Sequence, residues 1–269
     1  MKKLVISLML ALSSLMLANV YNSPDEVPLH SSFVERFSKE TQEDIKSIIY
    51  ESDNRFQKLW AKYNEKIYMD PKTAKTKVGS HYGGLFKGKI RLEEDETLGG
   101  LFHEIGHRID NLIGMSNSSL WQKYINEEDI SANYKSETYN SKLRTMILSE
   151  FQDYYNEVAQ RIGSYSKEVV YSAIKKEFEK YDDKLVGYRA VSDMFSGATN
   201  NELNIGYYHD AEYWKSSKSA LPNETFAHFI RVLAVGETDN ENLIKTYFPK
   251  SYAIFLEIVN KAGNNEKVK

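Results

Sequence analysis

Thr97 to Asp110 reads TLGGLFHEIGHRID. Leu98, Leu101, Phe102, Ile105 and Ile109, continued by Leu112 and Ile113, recur at the three- and four-residue spacing of a helix with one apolar stripe. Before it, EEDET offers acidic residues for the first turn and Thr97 as the cap; Gly114 ends the helix after about Ile113. His103 and His107 stand one helical turn apart, so both imidazoles share a face and can direct two nitrogens at a single ion. Glu104 is rotated by about 100° from His103. It can therefore reach a water at that ion without taking a coordination position, which is the place of a general base.

A competing reading makes both histidines satisfied core residues beside the stripe and Glu104 a surface acid. Two features favour the metal. Gly106, between the histidines, leaves room for a neighbouring element to approach closely. Upstream, GLFKGKIRL (Gly84–Leu92) reads as an edge strand on which an extended peptide can lie by strand addition. Neutral imidazoles with a carboxylate suit zinc, one ion per chain.

A third ligand must come from downstream. Asp110 and Ile113 stand where the metzincin spacing needs Gly and His, so that arrangement is excluded. Asp110 shares the histidines' face a turn further on, and supports them by hydrogen bonding or ion pairing unless it is simply an exposed polar residue. The best third ligand is Glu224 in LPNETFAHFIRV: Asn223 caps a helix, Glu224 projects from its first turn, and Phe226, Phe229, Ile230 and Leu233 bury the other face. The alternative for Glu224 is that it only complements the helix dipole. His228, one turn on, is the reserve ligand, and Asp193 in AVSDMF is the next. In GYYHDAEYW, His209 or one of Tyr207, Tyr208 and Tyr213 is a candidate donor to a developing oxyanion; the other reading is an aromatic cluster under a loop.

Around this core the chain divides simply. Residues 1–18, with Lys2 and Lys3 before an apolar run from Leu4 to Ala18, have the shape of a signal peptide. A polar linker over 19–37 follows, then one domain over 38–264 and a polar tail over 265–269. An amphipathic helix is predicted from about Ser38 to Asn64, and short strands at Ile67–Met69, Tyr82–Phe86 and Lys89–Leu92. Ser119–Lys184 is helical with a break at Gly163, and Val191–Phe195 is a short helix followed by a Gly/Asn turn and an aromatic loop. Two further helices start at Asn223 and Asn242, the second interrupted at Pro249.

The 269 residues are 41% hydrophobic, enough for one sizeable core, and the net charge of -3 comes without a long block of one sign, which argues against nucleic acid as a partner. No cysteine is present, so lipoprotein anchors, disulfides and Cys-ligated metals are excluded.

HEIGHRID, followed in order by AVSDMFSGAT, GYYHDAEYW and NETFAHF, resembles the HExxH metallopeptidase-like proteins of phage and mobile-element settings, often near or fused to minor head proteins. The resemblance covers about Gly84 to Arg231 and implies a gluzincin-type zinc site, with His103, His107 and Glu224 as ligands and Glu104 as base. The gluzincin pattern Asn-Glu-x-x-Ser-Asp is matched only at Asn223 and Glu224.

These readings converge on an α+β, mostly helical, zincin-like fold with a small edge-exposed sheet next to the HExxH helix. The function expected is that of a secreted or periplasmic zinc metalloendopeptidase. Glu104 activates the attacking water and His209 steadies the oxyanion. The substrate is a peptide or protein, and no stable membrane association is expected after signal cleavage. Two alternatives use the same residues: a secreted zinc-containing binding or toxin-like module without protease activity, and a cell-wall peptide hydrolase.

Overall fold

The computed structural model describes residues 19–71, 81–83, 88–93, 96–113, 139–181, 189–206 and 209–264. The signal segment, Phe86, Gly114, Tyr207, Tyr208 and the polar tail lie outside them. The architecture is α+β and mostly helical, with a three-stranded sheet. Among the described residues no helix is long and apolar enough to cross a membrane.

The stretch 19–37, expected to be a linker, is packed onto the domain. It forms a 3-10 turn at Pro24–Glu26 and helix α1 (Ser31–Arg36), and Val27 and Phe33 are fully buried. Trp60 donates its indole N–H to the Pro28 carbonyl at 2.9 Å, pinning this segment to the next helices. The single helix predicted over Ser38–Asn64 is two, α2 (Lys39–Glu51) and α3 (Asn54–Tyr63). The break is local chemistry. Ser52 donates to the Ile49 carbonyl at 2.6 Å, and the Asp53 carboxylate accepts from the Arg55 peptide N–H at 2.8 Å, capping the second helix before it can merge with the first.

Strands β1 (Tyr68–Met69), β2 (His81–Gly83) and β3 (Lys89–Arg91) lie in the order β1-β3-β2, with β3 parallel to β1 and antiparallel to β2. This corrects the edge-strand expectation: the strand of GLFKGKIRL is the central one, and β1 and β2 are the outer strands. Alternation explains its place, because Ile90 and Leu92 are buried while Lys89 is exposed. Arg91 donates to Asp70 at 3.0 Å and ties the end of β1 to β3.

Helix α4 (Leu98–Ile113) packs against β2 and β3. Thr97 caps it as the sequence suggests, its hydroxyl accepting from the Gly100 N–H at 3.1 Å. Beyond it come α5 (Tyr139–Ile162), α6 (Lys167–Phe178), α7 (Arg189–Ala198), α8 (Ala211–Ser216), α9 (Ala220–Val235), α10 (Thr238–Tyr247) and α11 (Pro249–Gly263). Gly163 breaks α5 from α6 at φ 69°, in the left-handed region that glycine enters without a Cβ penalty. α7 is longer than the Val191–Phe195 helix predicted. α8 takes up Tyr213 and Trp214, which were read as loop residues, because Asp210 caps it by accepting from the Tyr213 N–H at 2.8 Å.

Helix α9 runs through the middle of the domain and is buried on nearly every side, against α2, α3, α4, α5, α7, α8, α10 and α11. It starts at Ala220 and not at Asn223. Pro222 is tolerated because first-turn N–H groups have no partner inside a helix, and the Asn223 N–H already closes a turn onto the Ser219 carbonyl at 3.0 Å. Asn223 is therefore inside the helix and not its cap. The α4–α9 crossing is a close one. A Cβ on Gly106 would sit 2.7 Å from the Ala227 Cα and 2.8 Å from its carbonyl oxygen. Gly106 thus permits the approach that the sequence suggested.

Candidate metal centre

The crossing brings the HExxH face of α4 against the first turns of α9. His103 Nε2 lies 3.1 Å from Glu224 Oε2, and His107 Nε2 lies 3.4 Å from Glu224 Oε1. The three donor atoms all fall within 4.8 Å of one another. Ligand atoms about 2.0–2.1 Å from one tetrahedral zinc are separated by about 3.3 Å. The observed spacings straddle that value, so these three side chains can hold an ion. Glu224 is almost wholly buried and the two imidazoles are largely so.

Electrostatics distinguishes the two imidazoles. Burial pushes His103 down to about 4, outweighing its hydrogen bond with Glu224. Burial alone would lower His107 too, but the charge and hydrogen bond of Glu224, backed by Glu104 and Asp110, push it up to about 9. Glu224 itself is held well below the carboxylate range: burial opposes this, and the two histidines outweigh burial. A ligand must be deprotonated, so a cation binding here displaces the His107 proton. Asp110 is buried beside His107 and contributes to that shift, which places it in support of the histidines and not at the surface.

Glu104 is buried, and burial raises its carboxyl to about 7. Its Oε2 has no hydrogen-bond partner among the described residues. A carboxyl poised near neutrality with an uncommitted oxygen is chemically suited to take up and release a proton. His103 Nδ1 likewise has no partner among the described residues.

The facing wall comes from α7 and the start of α8. Asp193, on α7, accepts from the His209 peptide N–H at 3.0 Å and faces His209 Nδ1 with both oxygens at 3.0 Å. The His209 ring stacks on Tyr213, centroids 4.2 Å apart. The Tyr213 hydroxyl donates to Glu224 Oε1, and burial, followed by the charge of Glu224, raises the phenol far above its ordinary value. Sequence reasoning had Tyr213 only as one tyrosine among several, and the pairing of Asp193 with His209 carried no sequence signal. Both contacts depend on how α7, α8 and α9 meet.

The structure brings Glu224 to the two histidines in preference to His228 or Asp193. His228 turns away to Asp193, Nε2 to Oδ2 at 3.1 Å, while its ring lies 4.5 Å from that of His103. Arg231, one turn further along α9, is fully buried and neutralised by Glu237 at 3.0 Å, and its charge helps depress His103. A second group, Asp193, His209 and Glu224, also has its donor atoms within 4.8 Å of one another. No protein-family model matches the chain, and no curated protein or solved structure shows a significant likeness to it.

Proposed function

We propose that this chain is a zinc-dependent metallopeptidase of the gluzincin type with a zincin-like fold, acting on a peptide or protein substrate after export. One observation carries the reading: two imidazoles on adjacent turns of α4 face a buried carboxylate of α9 at 3.1 and 3.4 Å, with Glu104 beside them. The resemblance of HEIGHRID and NETFAHF to HExxH metallopeptidase-like proteins agrees with that set. Among the described residues no fourth His, Asp or Glu has a donor atom grouped with all three, and three protein ligands is the number that catalytic zinc sites use. Export is supported by the Lys2, Lys3 and Leu4–Ala18 pattern.

Zinc, when bound, supplies Lewis acidity at the scissile carbonyl and acidifies water. The protein's own groups do the rest. Glu104 takes the proton from the attacking water at its uncommitted oxygen and hands it to the leaving amine. His209, oriented by Asp193, and Tyr213 are the donors available to the developing oxyanion. The outer strand β2, against which α4 packs, is the edge we assign to an extended substrate.

The test is Glu104→Gln, which keeps the shape and the three ligands. Zinc content by elemental analysis should stay at the wild-type value while peptide cleavage falls by about 10²–10⁴-fold. Cleavage at the wild-type rate with zinc retained would refute the base assignment. Peptidoglycan fragments cleaved in place of protein substrates would point to cell-wall amides.

A further inference from the structure

Asp193 and Glu224 are both almost completely buried, and their carboxylate oxygens lie within 4.8 Å of one another. Two buried carboxylates at that distance repel one another when both are ionised, and a cation between them would relieve that repulsion. The α4 histidines meet both oxygens of Glu224, His103 at Oε2 and His107 at Oε1. Asp193 and His209 also stand within reach of Glu224, and His209 Nδ1 is 3.0 Å from both Asp193 oxygens. An independent feature points to the same place. Glu104 is buried, its Oε2 lacks a partner among the described residues, and the charges of His107 and His209 both act on its carboxyl.

We propose that Asp193 and His209 form a second divalent-cation site that shares the Glu224 carboxylate with the first. The inference rests on the reading of His103, His107 and Glu224 as metal ligands. One imidazole and two carboxylates suit zinc, cobalt or manganese, and a carboxylate held in common is a recurrent element of two-metal centres. The ion competes with contacts already made: His209 and His228 on Asp193, and the Tyr213 hydroxyl on Glu224 Oε1. With His209 as a ligand, Tyr213 alone of the two wall donors remains to face an oxyanion.

The experiment is a Co2+ titration of the metal-free full chain, followed by visible absorption and electron paramagnetic resonance. Wild type should take up two equivalents, and the second should quench the resonance of the first through spin coupling across Glu224. Asp193→Asn should take up one equivalent with an uncoupled signal. His209→Gln, at a ring about a quarter exposed and so easier to fold, should do the same. Glu224→Gln should weaken both equivalents. One equivalent in wild type up to millimolar Co2+ overturns the second site and leaves the first standing. Two equivalents that survive both Asp193→Asn and His209→Gln also overturn it. No uptake at all overturns the α4 triad and this inference with it.

Discussion

The two walls of the candidate centre are built in different ways. The α4–α9 wall is fixed by backbone: Gly106 lets the helices approach until a Cβ would meet main-chain atoms of Ala227 at 2.7 and 2.8 Å. The α7–α8 wall is fixed by side chains, namely Asp193 on His209, Tyr213 on Glu224, and the Trp214 indole donating to Ser196 at 2.9 Å. A small residue matters there too, but differently. A Cβ on Gly197 would meet the Leu221 Cδ1 at 2.8 Å and the Trp214 ring at 3.0 Å, which are side-chain atoms. The first wall presents ligands on a frame that cannot yield. The second rests on side-chain contacts, which can adjust more readily than main chain.

Tyr213→Phe makes the sharpest cut between the walls. It removes a hydroxyl from the second and touches no backbone. Cleavage should fall by about 10²-fold, the typical cost of one lost oxyanion donor, while zinc content stays at the wild-type value. Loss of zinc in this variant would show that the phenol holds Glu224 for the metal and has no separate part in the chemistry.

Gly106→Ala strikes the first wall. Better helix propensity returns up to about 1 kcal/mol, but overpacking against main chain costs about 3 kcal/mol. A net loss of about 2 kcal/mol should lower the melting temperature by roughly 4–8 °C. Zinc affinity should weaken as α4 and α9 are forced apart. Gly197→Ala should cost about half as much, since Leu221 can change rotamer, and should leave zinc affinity unchanged. Equal losses in the two variants, read by thermal unfolding and metal titration, would dissolve the distinction between a rigid and an adjustable wall.

The same contrast governs what the sequence made legible. His103, Glu104 and His107 sit within one and a half turns of a helix whose stripe and Thr97 cap are local, so position alone fixes the common face of the two histidines and sets Glu104 beside it. Glu224 was readable because an acid just ahead of Phe226, Phe229, Ile230 and Leu233 is also a local pattern, although the helix begins at Ala220 and Glu224 lies past its first turn. Tyr213, His209 and Asp193 were readable singly as candidates, but the contacts of Tyr213 with Glu224 and of Asp193 with His209 were not, since they arise only where α7, α8 and α9 converge. The same holds for β3, whose central place depends on pairing with β1 across intervening chain. In two places local signals were present and misweighed. Ser52, Asp53 and Asn54 are consecutive residues of the helix-capping type, and they split the predicted long helix. Pro222 stood inside a helix start that was placed at Asn223.

That split helix supports the end of α9 opposite Glu224, because the Asp53 N–H donates to the Leu233 carbonyl at 3.1 Å. Burial opposes ionisation of Asp53, but the hydrogen bonds and charge of Arg55 outweigh it and hold the carboxyl below its ordinary value. A carboxylate depressed in the folded state binds protons less readily there than in the unfolded chain. Its contribution is therefore complete above the unfolded value, about 4, and is lost as the pH falls through the folded one. Asp53→Asn keeps a good capping residue and removes only the charge. Because the Asp53 side chain is 31% exposed, solvent screening holds the loss near neutrality below about 1 kcal/mol. Measured by denaturant unfolding, the two proteins should differ most above pH 5 and converge on acidification, with zinc affinity the same throughout. If Asp53→Asn weakened zinc binding, α9 would transmit strain along its whole length, and the first wall would be less rigid than its contact at Gly106 implies.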